Sequence, residues 1–105
     1  MEKQAWKKYL TEEQYRNLGP DGQMLADYWT EWLPMMCAKM HKAGTLIPTL
    51  EEKADSLLEM HADLLRQGLM EPEALEFVKE EVFALPPEKE AEEEYRKELG
   101  LEPEN

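Results

Sequence analysis

The sequence predicts an all-α protein, a compact bundle of about five helices. Three observations support this prediction. Apolar residues recur at spacings of three and four along most of the chain, whereas no segment alternates apolar and polar residues as a strand does. Helix-start motifs and helix-ending glycines follow one another at helical lengths. The chain has 105 residues and no low-complexity linker, so we expect a single helical domain over 1–105.

Two short elements are predicted at the start of the chain. A basic and aromatic segment over about 2–10 comes first. Thr11 and Gln14 then form a capping-box motif, which opens a helix by satisfying two backbone amides. That helix should end at Gly19-Pro20, because glycine permits a left-handed helix end and proline cannot continue the hydrogen-bond ladder.

The longest periodic segment predicts a helix over about 22–43, with Asp21 as its N-cap. Pro34 falls inside this segment. It removes a backbone donor and crowds the carbonyl four residues back, so we expect a kink near 30–34. Gly44 is the expected end of the helix. Its apolar stripe contains Leu25, Trp29, Trp32, Leu33, Met36 and Met40.

Two further helices are predicted from helix-start motifs in the second half of the chain. Thr49 and Glu52 form another capping box, which predicts a helix over about 50–67 that ends at Gly68. Glu71-Pro72-Glu73 places proline in a first turn among acidic residues, which predicts a helix start and a helix over about 72–85.

The net charge of −12 arises entirely after Gly44. Residues 1–44 contain six basic and six acidic side chains, whereas residues 45–105 contain 6 basic and 18 acidic ones. We expect an acidic helix and frayed tail over 87–105. The acidic balance argues against direct nucleic-acid binding, because phosphate contacts need patches of Lys and Arg.

The location of the protein is predicted from segments that the sequence lacks. There is no apolar run of membrane-spanning length and no signal-peptide pattern. The single cysteine cannot form an internal disulfide, which fits a reducing compartment. We therefore expect a cytoplasmic protein with no membrane partner.

Few side chains could carry catalysis or hold a metal ion. Cys37 and His41 are four residues apart and could share a helix face, but a zinc site needs two more ligands, and His61 with a glutamate is the remaining supply. His61 lies on an apolar face, where a core histidine or a polar pocket group is favoured over a general base. No Gly-rich phosphate loop or common hydrolase motif is present. We expect no enzyme activity, metal or cofactor.

The clustering of methionine and tryptophan leaves two interpretations open. One is an adaptable hydrophobic core, the ordinary use of methionine. The other is a plastic apolar pocket, in which methionine adapts to the shape of a ligand and tryptophan stacks on flat rings. A kink at Pro34 would help to open such a pocket beside Trp29 and Trp32. The clustered methionines are Met24, Met35, Met36, Met40, Met60 and Met70.

The order of several short motifs resembles TipAS-type domains, which are small all-helical drug-binding modules often found behind a MerR-type DNA-binding domain. The resemblance covers about residues 7–85. The similar segments are Tyr9-Leu10-Thr11-Glu12-Glu13-Gln14-Tyr15, Trp29-Thr30-Glu31-Trp32-Leu33, Met40-His41-Lys42-Ala43-Gly44-Thr45, the turn Ile47-Pro48-Thr49, a helix through Ala54, Leu58 and His61 to Leu64-Leu65, and Glu71-Pro72-Glu73.

The resemblance implies a compact, globin-like helical fold that encloses a bulky, often peptide-like antibiotic in an apolar, aromatic-lined cavity. In regulators of this kind ligand capture drives transcription, whereas stand-alone copies sequester the ligand. No DNA-binding segment precedes the match in this chain, so we expect a stand-alone protein, and covalent capture by Cys37 is not implied. The resemblance and the apolar stripe together predict ligand-binding residues Trp29, Trp32, Met36, Met40, His61 and Leu64.

Two functions from different classes follow. The first is a non-catalytic protein that sequesters or senses a bulky hydrophobic small molecule, such as a peptide-like antibiotic. The alternative is an acidic interaction or inhibitor module that imitates nucleic acid and docks on a basic protein partner. Segment 88–104, with eight acidic and three basic residues, motivates the alternative, although a merely solvated surface is the ordinary use of such charge.

Overall fold

Five α-helices form the fold of the computed structural model, which describes residues 4–89 together with 93, 97 and 100. The described residues contain no strand, and the prediction of an all-α bundle of about five helices is confirmed. A short 3₁₀ helix, Ala5–Lys8, precedes them. The α-helices are α1 (Glu12–Asn17), α2 (Gly19–Trp32), α3 (Pro34–Ala43), α4 (Leu46–Arg66) and α5 (Glu71–Val82).

The predicted kink at Pro34 is a complete break between two helices. The chain leaves the helical conformation at Leu33, where φ is −126° and ψ is 51°, and α3 begins at Pro34 itself. Proline disfavours the helical conformation in the residue before it and clashes with the carbonyl four residues back, that of Thr30. As the first residue of a new helix it is well tolerated, because the amide there has no intrahelical partner.

The start of α2 differs from the prediction for a related reason. The capping box of Thr11 and Gln14 is confirmed, with the Gln14 amide 3.1 Å from the Thr11 hydroxyl, and α1 ends at Asn17. Gly19, with a left-handed φ of 75°, follows that helix end as predicted, but α2 begins at Gly19 itself because Pro20 fits the first turn of a helix. Asp21 is therefore a buried residue of that turn, and its predicted role as N-cap is wrong.

The predicted capping box of Thr49 and Glu52 is also wrong. Helix α4 begins at Leu46, four residues earlier than predicted, and Thr49 lies inside it. Pro48 occupies the first turn, where its missing amide has no consequence, and the early start buries Leu46 in the core. The predicted end at Gly68 agrees with the observed end at Arg66.

Helix α5 starts where Glu71-Pro72-Glu73 predicts but ends three residues early, at Val82. The acidic helix and tail predicted over 87–105 lie outside the described residues, apart from 87–89, 93, 97 and 100. No helix among the described residues combines the length and the apolar composition needed to cross a membrane.

The core lies where α2 packs against α4, with α5 packed on both. Gly22 of α2 lies directly against Ala54 of α4. A Cβ added at Gly22 would lie 2.5 Å from the Cβ of Ala54 and 2.9 Å from that of Leu18, inside van der Waals contact. The absent side chain therefore sets the distance between the two central helices. Their buried apolar residues are Leu25, Ala26, Trp29, Leu46, Leu50, Ala54 and Leu57, and α5 adds Ala74, Val78 and Val82.

Candidate functional site

An apolar groove of about 280 Å³ runs between α2, α4 and the end of α5. Buried side chains form its inner wall, exposed polar side chains form its rim, and Met60 is half-buried between them. The inner wall consists of Leu25, Trp29, Leu57 and Val82, and the rim of Lys53, Ser56 and Glu81, with Ala84 and Leu85 closing one side.

Helical periodicity explains why these residues share one groove. Leu25 and Trp29 are one turn apart on α2, so both face α4. On α4, Lys53, Leu57 and Met60 recur at spacings of four and three and therefore line one edge of that helix. The α2–α4 crossing at Gly22 brings the two sets together.

Of the six predicted ligand-binding residues, Trp29 lines this groove and the other five do not. Met36 and Met40 lie half-buried on α3 and pack against the core. Trp32 and Leu64 are also half-buried, on α2 and α4.

Apart from Trp29, the groove residues were not among the predicted ligand-binding residues. Met60 belonged to the methionine cluster, and its spacing from Lys53 and Leu57 was the signal that could have found the α4 edge.

A second depression, of about 340 Å³, lies beside Trp6 and is bounded mainly by polar residues. The ring of Trp6 stacks on that of Tyr15, with centroids 3.9 Å apart. The other lining residues are Glu12, Arg16 and Gln23. This depression is less suited to an apolar ligand than the groove beside Trp29, because polar side chains make up most of its lining whereas apolar side chains make up most of the lining of the groove.

His61 joins three helices through its two ring nitrogens. Nδ1 lies 2.7 Å from Oδ2 of Asp21 on α2, and Nε2 lies 2.7 Å from Oε1 of Glu71 on α5. The hydrogen bond with Asp21 raises the pKa of His61, burial opposes this effect, and Glu71 adds to it. The protonated ring can donate to both carboxylates at once. Since both nitrogens are engaged, this geometry fits a structural clamp better than a general base.

Cys37 is fully buried and unpaired. Burial raises the pKa of its thiol to about 11, and the charge of Glu88 contributes. The ring of His41 contacts Tyr9, with centroids 5.0 Å apart. Among the described residues no group of three His, Cys, Asp or Glu side chains is placed to hold a metal ion.

The Cys37 thiol is expected to be unreactive in the folded protein. A thiol with a raised pKa carries almost no thiolate at neutral pH, and burial keeps reagents away. Ellman's reagent should modify Cys37 only after denaturant is added. Rapid modification at neutral pH under native conditions would contradict this placement of the side chain.

Comparison of the chain with known protein families, curated proteins and solved structures finds no match in any of the three.

Proposed function

We propose that the protein is a non-catalytic binding protein that sequesters or senses a hydrophobic, aromatic small molecule in the groove beside Trp29. The supporting observation is the groove itself, in which a tryptophan and aliphatic side chains form the inner wall below a rim of polar groups. Ligand sites in proteins have this composition, an apolar lining with a few polar groups that fix orientation.

The size of the groove narrows the class of ligand. Its volume of about 280 Å³ lies near the lower end of ligand pockets, which span about 300–1,000 Å³. A planar ring system fits such a space and can contact the indole of Trp29. A bulky peptide-like antibiotic, as the resemblance to TipAS-type domains suggests, would insert one such ring and leave the rest of the molecule outside.

The rim offers polar contacts to that outer part of a ligand. Lys53 and Glu81 supply opposite charges, and the hydroxyl of Ser56, which donates to the carbonyl of Glu52 over 3.2 Å, can accept a hydrogen bond. All three side chains are exposed, so each can contact a ligand without losing a partner in the core. The inner wall would supply affinity and the rim would orient the ligand.

Binding of a fluorescent dye, and a substitution that blocks the groove, test this proposal. N-phenyl-1-naphthylamine, a neutral dye that fluoresces in apolar surroundings, is expected to bind with one-to-one stoichiometry, and thiopeptide antibiotics are expected to displace it. Ser56→Phe places a ring in the groove and should weaken dye binding about tenfold, or ~1.4 kcal/mol.

Leu58→Phe is the matched control, because Leu58 is exposed on the same helix and lies outside the groove. It should bind the dye as the wild type does. Absence of dye binding at high micromolar concentration, or equal weakening by both variants, would contradict the proposal.

The acidic interaction module is a second candidate, favoured by the exposed carboxylates of α4 and α5. Ten carboxylates are exposed there, against the basic side chains of Lys53, Arg66 and Lys79. Such a surface would attract a basic protein partner in a salt-dependent manner. Neutralising Glu51, Glu52 and Asp55 should then abolish capture of that partner at low salt while leaving dye binding unchanged. The ten carboxylates are Glu51, Glu52, Asp55, Glu59, Asp63, Glu71, Glu73, Glu76, Glu80 and Glu81.

A further inference from the structure

Residues 83–88, here called the strap, run from the end of α5 back along α2. The ring of Phe83 packs edge-on against Tyr28, with centroids 5.0 Å apart. The hydroxyl of Tyr28 donates to the carbonyl of Leu85. The amide of Glu88 donates to the carbonyl of Trp32 over 2.9 Å. Because Ala84 and Leu85 line the groove, the strap is one of its walls.

The Glu88 carboxylate ends the strap at the N-terminus of α3. One oxygen accepts from the amide of Met35 over 2.8 Å, and the other accepts from Met36 over 2.9 Å. Leu33, the residue before α3, provides no side-chain cap. Glu88 therefore provides the N-terminal cap of α3, although it lies more than fifty residues away in the sequence. Its negative charge also interacts favourably with the positive end of the helix dipole.

Polar contacts and partial apolar burial together hold the strap in place. Phe83 and Leu85 remain 47% and 44% exposed, so apolar burial holds the strap less firmly than it holds the buried core residues. Pro86-Pro87 separates the groove wall from Glu88. Consecutive prolines form a stiff, extended spacer, which can couple the position of Glu88 to that of Leu85.

We propose that the strap is a movable wall of the groove and that the Glu88 carboxylate is its latch on α3. This inference rests on the proposed function, because it assigns a regulation to the same groove. A ligand that contacts Leu85 stabilises the latched strap and so the capped N-terminus of α3. Because coupling between two sites is reciprocal, the factor by which a bound ligand stabilises the latched strap is also the factor by which loss of the latch weakens ligand binding.

The latch can be tested first without any ligand. Glu88→Gln removes the charge and leaves one oxygen to accept hydrogen bonds, so the amides of Met35 and Met36 should exchange with solvent about fivefold faster. In protein labelled with 5-fluorotryptophan, the ¹⁹F resonance of Trp29, assigned through Trp29→Phe, should shift as the strap opens. Glu80→Gln makes the same charge change on α5 outside these contacts and should alter neither measurement.

Binding of N-phenyl-1-naphthylamine then tests the coupling. Glu88→Gln should weaken dye binding about fivefold, whereas Glu80→Gln should not. Unchanged exchange at Met35 and Met36 would overturn the latch. Faster exchange at Met35 and Met36 together with an unshifted Trp29 resonance would overturn the coupling between the latch and the groove. A wild-type protein that does not bind the dye would contradict the proposed function alone. The latch is still tested in that case, because amide exchange and the Trp29 resonance are measured without a ligand.

Discussion

Replacing Gly22 with alanine is expected to lower the free energy of unfolding by about 3 kcal/mol. The added Cβ would lie 2.5 Å from the Cβ of Ala54, and neither carbon can rotate away because both are attached directly to helix backbones. Helices α2 and α4 would have to separate, and the packing around Leu25 and Leu50 would loosen with them. Denaturant unfolding monitored by circular dichroism measures the loss.

A second substitution tests whether the contact between the added Cβ and the Cβ of Ala54 causes the loss of stability. Ala54→Gly in the Gly22→Ala background removes the closest contacting atom and should recover part of the lost stability. Ala62→Gly, elsewhere on α4, measures the ordinary destabilisation by glycine within that helix, about 1 kcal/mol. A Gly22→Ala variant as stable as the wild type would show that the helices do not cross at this distance.

The His61 clamp predicts a stability that depends on pH. The hydrogen bond with Asp21 raises the pKa of His61 in the folded protein above its ordinary value of 6.5, against the opposing effect of burial and with a further contribution from Glu71. The protonated clamp therefore stabilises the fold fully below about pH 6.5 and loses this effect as the pH rises through the folded pKa. Denaturant unfolding at a series of pH values should show this decline.

Variants of the two histidines isolate the contribution of the clamp. His61→Gln should lose the decline, whereas His41→Gln, which changes the exposed histidine, should retain it. At about pH 6, His61→Ala should lower the free energy of unfolding by about 2 kcal/mol, since it leaves the carboxylate of Asp21 without this partner. A titration by NMR that gives His61 a pKa of 6.5 or below would contradict the clamp.

The two carboxylates of the clamp are expected to contribute unequally. The side chain of Asp21 is 10% exposed, and that of Glu71 is 63% exposed. Ion pairs at the surface contribute about 1 kcal/mol or less, because water screens them. Asp21→Asn should therefore destabilise the protein more than Glu71→Gln in the same unfolding measurements, and the reverse order would contradict the observed burial.

Much of the helical organisation could be predicted because local signals fix helix ends. The Thr11–Gln14 capping box, Gly68 and Pro72 act within one helical turn, and the structure agrees with each. The Thr49–Glu52 motif failed because burial of Leu46 extends α4 beyond the local signal. Local motifs therefore predicted a helix end correctly where tertiary packing does not favour a different end.

The contacts of the candidate site are harder to predict because they join distant segments. His61 meets Asp21 across forty residues, and Glu88 caps α3 across more than fifty. The apolar stripe of α2 identified Trp29, but the opposite wall depends on how closely α2 and α4 cross at Gly22. No periodicity within a single helix specifies that crossing.

The ¹⁹F spectrum of the 5-fluorotryptophan protein during titration with N-phenyl-1-naphthylamine tests the proposed groove most directly. The chain has three tryptophans, and Trp29 lines the groove whereas Trp6 lines the separate depression. Binding in the groove predicts a saturable shift of the Trp29 resonance, an unmoved Trp6 resonance, and a Trp29 shift that requires about tenfold more dye in Ser56→Phe. A Trp29 resonance that does not move, or a shift confined to Trp6, would contradict a ligand site in this groove.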